Sequence, residues 1–199
     1  MIIIKQNRAY EISILALFIA IVIIQNVVPI LGYIPIGPLS LVTIHVTVSI
    51  AAIILGTKNG AIVGGVWGLT AWVRAFAWPT SPMAVYVMVN PLISVLPRIM
   101  VGVVAGLLFH YLYKRFNNQL AMALSGLAGA LVNTILVLGF IFIFYQFGGI
   151  PLTKLHINAL MPYLLGVIAT NGIPEAIMAA VLVPLIATPL MRFRKSVKK

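Results

Sequence analysis

The chain has 199 residues, of which 62% are hydrophobic and only 8% charged, against roughly 25% charged in soluble domains; with a mean hydropathy of +1.15, this excludes a soluble globular core. Thirteen Lys and Arg face two carboxylates, Glu11 and Glu175, for a net charge of +11, but the basic residues cluster at the ends of apolar runs without interleaved aromatics, which excludes a nucleic-acid partner. No cysteine is present, so there is no disulfide, thiolate metal site or thiol nucleophile.

Charge breaks and Pro/Gly clusters divide one membrane domain, residues 1–199, into six predicted spans: 9–31, 43–57, 59–77, 88–113, 119–147 and 159–191. Lys5 and Arg8 precede the apolar run Ile12 to Ile24, which has the length of a signal peptide. Gln25-Asn26-Val27-Val28-Pro29 lacks a small-x-small cleavage pattern, so a retained first helix is expected. The second span is short for a bilayer. The third is broken by Trp78-Pro79 and followed by Ser81-Pro82, so that region is expected to line a cavity. The fifth lies in a charge-free run between Arg115 and Lys154, nearly twice the roughly 20 residues that cross a bilayer as a helix. The last carries Pro162, Pro174, Pro184 and Pro189, which predict kinks.

Lys5, Arg8, Lys58, Lys114, Arg115 and the tail residues Arg192, Arg194, Lys195, Lys198 and Lys199 fall on one side of these spans; Arg74, Arg98 and Lys154 fall on the other. Ten against three places both termini in the cytoplasm, as an even number of spans requires. The fold expected is an all-α, multi-pass protein of the cell membrane.

A cation buried in so apolar a chain costs about 2.5 to 3.5 kcal/mol at a helix centre, so the exceptions on the outer side need compensation. Arg74 and Arg98 either snorkel to lipid headgroups or meet an anion. A guanidinium grips a carboxylate through two parallel hydrogen bonds, which favours Arg98 in Leu96-Pro97-Arg98 as the ligand partner. Asn90, Asn133, Asn171 and Glu175 recur where the outer halves of the spans converge, with Trp67 and Trp72 on span three. Each Asn serves either a ligand or a helix-to-helix hydrogen bond. His45, His110 and His156 lack metal-ligand spacing, and no nucleophile–base pair is present, so neither a metal site nor an enzyme is expected. Gly56-Thr57-Lys58 has no phosphate-cradling loop ahead of it; any energy for transport comes from a partner or a gradient. Small residues recur four apart at Ala16/Ala20, Gly60/Gly64/Gly68, Gly102/Gly106 and Gly126/Ala130, faces that admit close helix packing. The alanine pair on the first helix faces either lipid or another subunit.

Ile34-Pro35-Ile36-Gly37-Pro38 through Thr43-Ile44-His45, Ile54-Leu55-Gly56-Thr57-Lys58-Asn59-Gly60-Ala61, Gly64 to Gly68, and Leu96-Pro97-Arg98-Ile99-Met100-Val101-Gly102 together resemble the substrate-binding S component of energy-coupling factor (ECF) vitamin transporters. The resemblance implies a six-helix subunit that captures a vitamin from outside and docks on a transmembrane T subunit carried by two cytoplasmic ATPases. It implies no cofactor in this chain, with ATP used by those partners, and a place in a bacterial plasma membrane. The pair Ala16 and Ala20 matches the family's small-residue motif that meets the T subunit.

Within the family, the Gly-Pro-to-His45 run and Pro97-Arg98 most resemble the pantothenate-specific type, although Thr47 stands where many members carry Pro. Pantothenate has one carboxylate, two hydroxyls and an amide. The resemblance implies Arg98 for the carboxylate, Asn133 and Asn171 for the hydroxyls or amide, and Trp67 and Trp72 as apolar walls. Asn90, Arg74, Glu175 and His45 complete the candidate set, and the loops at 32–42 and 78–88 would form an outer lid. Other vitamins, such as folate or a pyridoxine- or pyrimidine-type compound, stay open, and so does a gradient-driven transporter.

Overall fold

A computed structural model describes residues 8–36, 39–79, 84–148 and 159–196. Lys5, Gly37, Pro38, Ser81, Pro82, Lys154 and His156 lie outside the described residues, as do parts of both expected lid loops.

Five helical segments are long and apolar enough to cross a membrane. Helix α1 is Arg8–Val27, and a short helix at Pro29–Gly32 follows it. Helix α2, Ile44–Leu55, has only 12 residues and reaches about 18 Å at 1.5 Å per residue, in keeping with the short second span expected. Helix α3 is Thr57–Ala77, and a one-turn helix Pro91–Ser94 leads into α4, Leu96–Leu112. Helix α5 is Asn118–Gln146. The last span is α6, Leu160–Val167, and α7, Ile173–Ser196, joined by a π turn at Ile168–Gly172. That turn sits immediately before Pro174, whose missing N–H breaks the helical ladder. Pro184 and Pro189 lie inside α7.

Sequence reading had no strands, yet the 32–42 segment contains a hairpin: β1, Tyr33–Ile36, pairs antiparallel with β2, Leu39–Val42, with Tyr33 opposite Val42. A two-stranded hairpin is marginal alone, and this one is tied at its base. Thr43 donates its N–H to the Gly32 carbonyl at 2.9 Å and its hydroxyl to the Leu31 carbonyl at 3.1 Å.

Glycine decides the closest helix contacts. Gly56 connects α2 to α3 alone, with φ 94° and ψ 165°, a conformation essentially open only to glycine. A Cβ on Gly64 would collide with the Arg98 carbonyl, one on Gly102 with the Gly60 backbone, and one on Gly68 would stand 2.6 Å from the Val95 Cα. The α3 and α4 backbones therefore touch, and Arg98 is carried into the interior by that contact. Gly126 packs in the same way against Val183 of α7.

Two apolar clusters result. The larger joins α1, α2, α3, α4, α5 and α7 around Val22, Ile44, Val63, Trp67, Val101 and Met122. The smaller lies at the expected outer end, where Val87, Ile93, Leu138, Ile141, Leu160 and Leu164 pack together. Large apolar side chains such as Leu17, Ile135, Ile177 and Leu185 are exposed around the bundle, as a lipid-facing surface requires.

Candidate functional site

Among the described residues the bundle buries polar side chains that include His45, Arg74, Arg98, Asn133 and Glu175. Helix α2 begins with His45, which is fully buried; both ring nitrogens lack a hydrogen-bond partner, although the ring lies near the backbone of Val42 and Glu175. Glu175, in the first turn of α7, is 4% exposed and accepts the Val42 N–H at 2.8 Å. The hairpin thus ends on a buried carboxyl group of the last span.

Arg98 is 8% exposed. Its Nη1 donates to the Ile93 carbonyl and its Nη2 to Met88 Sδ at 3.7 Å, while Nε has no partner. The guanidinium lies over Trp67, 5.3 Å from the ring centroid, a cation–π arrangement. It also lies close enough to Glu175 for their charges to interact. Trp67 is buried with its indole N–H unpartnered, and Asn133 on α5 is buried with its Oδ1 unpartnered. Natural interiors rarely leave such groups unmet, which makes Arg98, Trp67 and Asn133 the candidate ligand contacts.

Arg74 belongs to a neighbouring network. It is 6% exposed, buried rather than extended to headgroups. Its Nη1 donates to the Asn26 carbonyl at 2.8 Å, and the guanidinium lies over the Tyr33 ring at 4.5 Å. Tyr33 in turn donates its hydroxyl to Asn26 Oδ1 at 2.8 Å. One cation therefore fastens α1, α3 and the hairpin together. Asn26 and Tyr33 were not singled out from the sequence, because their roles depend on a contact between residues 48 apart.

Other candidates have partners within the fold. Asn90 accepts the Leu92 N–H at 3.0 Å and caps the short helix Pro91–Ser94, the ordinary use of an Asn at that position. Trp72 donates its indole N–H to the Val89 carbonyl at 2.7 Å and packs edge-to-face on Phe76. Asn171 sits half-buried in the π turn, its Oδ1 3.1 Å from the Thr170 hydroxyl, which donates to the Gly166 carbonyl at 2.8 Å. The structure therefore brings Arg98, Trp67 and Glu175 near one another with His45 beside the Glu175 backbone, buries Asn133 on α5, and gives Asn90, Trp72 and Arg74 partners within the fold. Among the described residues there is no group of His, Cys, Asp and Glu able to hold a metal ion.

The charged groups that the described residues bury are two guanidiniums, Arg74 and Arg98, and one carboxyl group, Glu175; a carboxylate beside Arg98 could take charge-assisted hydrogen bonds.

Ala16 and Ala20 are exposed on α1. On a different face of that helix, α1, α2 and α7 enclose an apolar groove of about 430 Å³ lined by residues including Ile14, Leu17, Phe18, Val46, Ile50 and Leu182. Thr47 donates its hydroxyl to Gln25 Oε1 at 2.9 Å, both residues belonging to this groove.

Residues 11–187 match the family model described as "ECF transporter, substrate-specific component". The chain is 33% identical over 199 residues to the pantothenate transporter PanT of Leuconostoc mesenteroides subsp. mesenteroides, covering 94% of this chain and 95% of that protein. It is also 33% identical over 210 residues to the pantothenic acid transporter PanT of Lactococcus lactis subsp. cremoris, covering 96% of this chain and 99% of that one.

Proposed function

Because the chain belongs to the substrate-specific component family of ECF transporters, we propose that it is the subunit that captures pantothenate at the outer face of a bacterial plasma membrane. As a member of that family it is a transport protein and not an enzyme. In our reading its spans number six, α2 being the short one, with both termini in the cytoplasm. It delivers the vitamin inward with a T subunit, met through Ala16 and Ala20, and two ATPase subunits that spend the ATP.

The observation that carries the ligand assignment is Arg98, buried with one N–H unpartnered beside Trp67. A carboxylate there would take charge-assisted hydrogen bonds, while Trp67 would offer its face to apolar atoms and its N–H to a polar one. Asn133, His45 and Asn171 supply hydrogen bonds to the hydroxyls and amide, and Glu175 holds the hairpin closed over the ligand. Asn90, Trp72 and Arg74 support this arrangement through the helix cap, the Val89 tie and the Tyr33 contact. Similarity to two pantothenate transporters along nearly the whole chain supports the same ligand over other vitamins.

A vitamin panel tests this reading on the purified chain in detergent by thermal unfolding. A ligand bound only by the folded state raises the midpoint, by about 2.7 kcal/mol at a hundred times its dissociation constant. Pantothenate should raise it and folate, pyridoxine and thiamine should not. A shift with one of the others alone would replace the substrate; none with any would remove vitamin binding by the isolated subunit.

A further inference from the structure

A hydroxyl inside a membrane helix has a ready partner, the carbonyl four residues earlier. Ser13, Thr70, Ser125, Thr134, Thr170 and Thr188 all take it, at 2.6 to 3.2 Å. Ser49 does not. It is fully buried on α2, and its Oγ has no hydrogen-bond partner among the described residues. It is aimed across the bundle at α5 instead: a Cβ placed on Gly129 would lie 2.9 Å from that oxygen and 3.4 Å from Val101 Cγ1. Without a side chain, Gly129 lets α5 close onto that hydroxyl.

Ser49 lies four residues below His45 on α2, and Gly129 four below Asn133 on α5, so the hydroxyl sits about 6 Å deeper than the His45–Asn133 level. The unpartnered groups also divide by chemistry. Arg98 Nε and Trp67 Nε1 are obligate donors, whereas Asn133 Oδ1 is an acceptor, and Ser49 Oγ and the His45 ring can act as either. Donors alone suit a carboxylate, and mixed groups suit hydroxyls.

We propose that Ser49, opposite Gly129, forms the floor of the binding site and hydrogen-bonds the hydroxyl-bearing end of the ligand, so that the ligand lies with its carboxylate on Arg98 and its hydroxyls pointing inward. This rests on pantothenate being the ligand and adds its orientation and a specificity-determining residue.

Calorimetry on wild type, Ser49→Ala and Arg98→Gln tests it with three compounds: pantothenate, its analogue with the carboxylate reduced to an alcohol, and its analogue lacking the primary hydroxyl. Ser49→Ala should weaken pantothenate and the alcohol analogue alike, about ten-fold, and leave the deoxy analogue unchanged. Arg98→Gln should show the reverse selectivity, weakening pantothenate and the deoxy analogue but not the alcohol. Unchanged pantothenate binding by Ser49→Ala overturns the proposal. So does an equal loss for the deoxy analogue, which marks a packing role, or a loss that disappears with the alcohol analogue, which marks the opposite orientation. Wild type that fails to bind pantothenate overturns the functional reading and this orientation together.

Discussion

Two arginines that look alike in sequence differ in what holds them. Arg74 donates to the Asn26 carbonyl and lies on Tyr33, whereas Arg98 keeps an unpartnered Nε beside an unpartnered Trp67 indole. Arg74→Gln should therefore lower the thermal unfolding midpoint, by the equivalent of about 1 to 3 kcal/mol for a broken buried charged bond, with little change in affinity once folded. Asn133→Ala should do the opposite, weakening ligand binding several-fold, about 1 kcal/mol, while leaving the midpoint nearly unchanged because its Oδ1 has no partner to lose. Midpoint and calorimetric affinity measured on the same preparations separate the two roles. Arg98 was legible in the sequence because a lone cation in an apolar run demands a reason. Ser49 was not, since serine in a helix ordinarily bonds its own backbone, and only coordinates reveal that this one does not.

Helices α3 and α4 show how element packing sets the site. A methyl at Gly64 would strike the Arg98 carbonyl, whereas one at Gly65 would make ordinary contact with Ile99, 3.6 Å away. Gly64→Ala should push α4 outward, displace Arg98 and reduce both stability and affinity; Gly65→Ala should alter neither. Similar affinities for the two variants would show that this contact does not position Arg98. At the α2–α3 corner, Gly56→Ala should cost about 1 to 3 kcal/mol of strain at φ 94°, visible as a lower midpoint. The small-residue spacing made these close contacts readable beforehand, as apolar length and charge breaks did for the helices. The hairpin was hidden: its strands are four residues each, and besides the local Thr43 bonds it is held by a tie from Val42 to Glu175, 133 residues away. No local pattern encodes such a tie.

Across the whole molecule, the larger apolar cluster joins α1 to α5 and α7 and carries the hairpin residues Tyr33 and Val42 against it, while the smaller one gathers α5 and α6 with Val87 and Ile93. Docking on the proposed T subunit should be separable from capture, because Ala16 and Ala20 are exposed on α1 whereas Arg98 is buried. Ala16→Trp with Ala20→Trp should leave pantothenate affinity of the isolated chain unchanged and abolish ATP-driven uptake in vesicles containing the partner subunits. The overall class was readable from charge scarcity alone, whereas the division into two apolar clusters arises from contacts between distant spans. The central claim, that a buried guanidinium recognises the carboxylate of pantothenate, is tested most directly by calorimetric titration of the purified chain and of Arg98→Gln. Removing the charged partner should cost about 2 kcal/mol or more, roughly thirty-fold in affinity, with the folded midpoint retained. Equal affinity of wild type and variant would contradict the account.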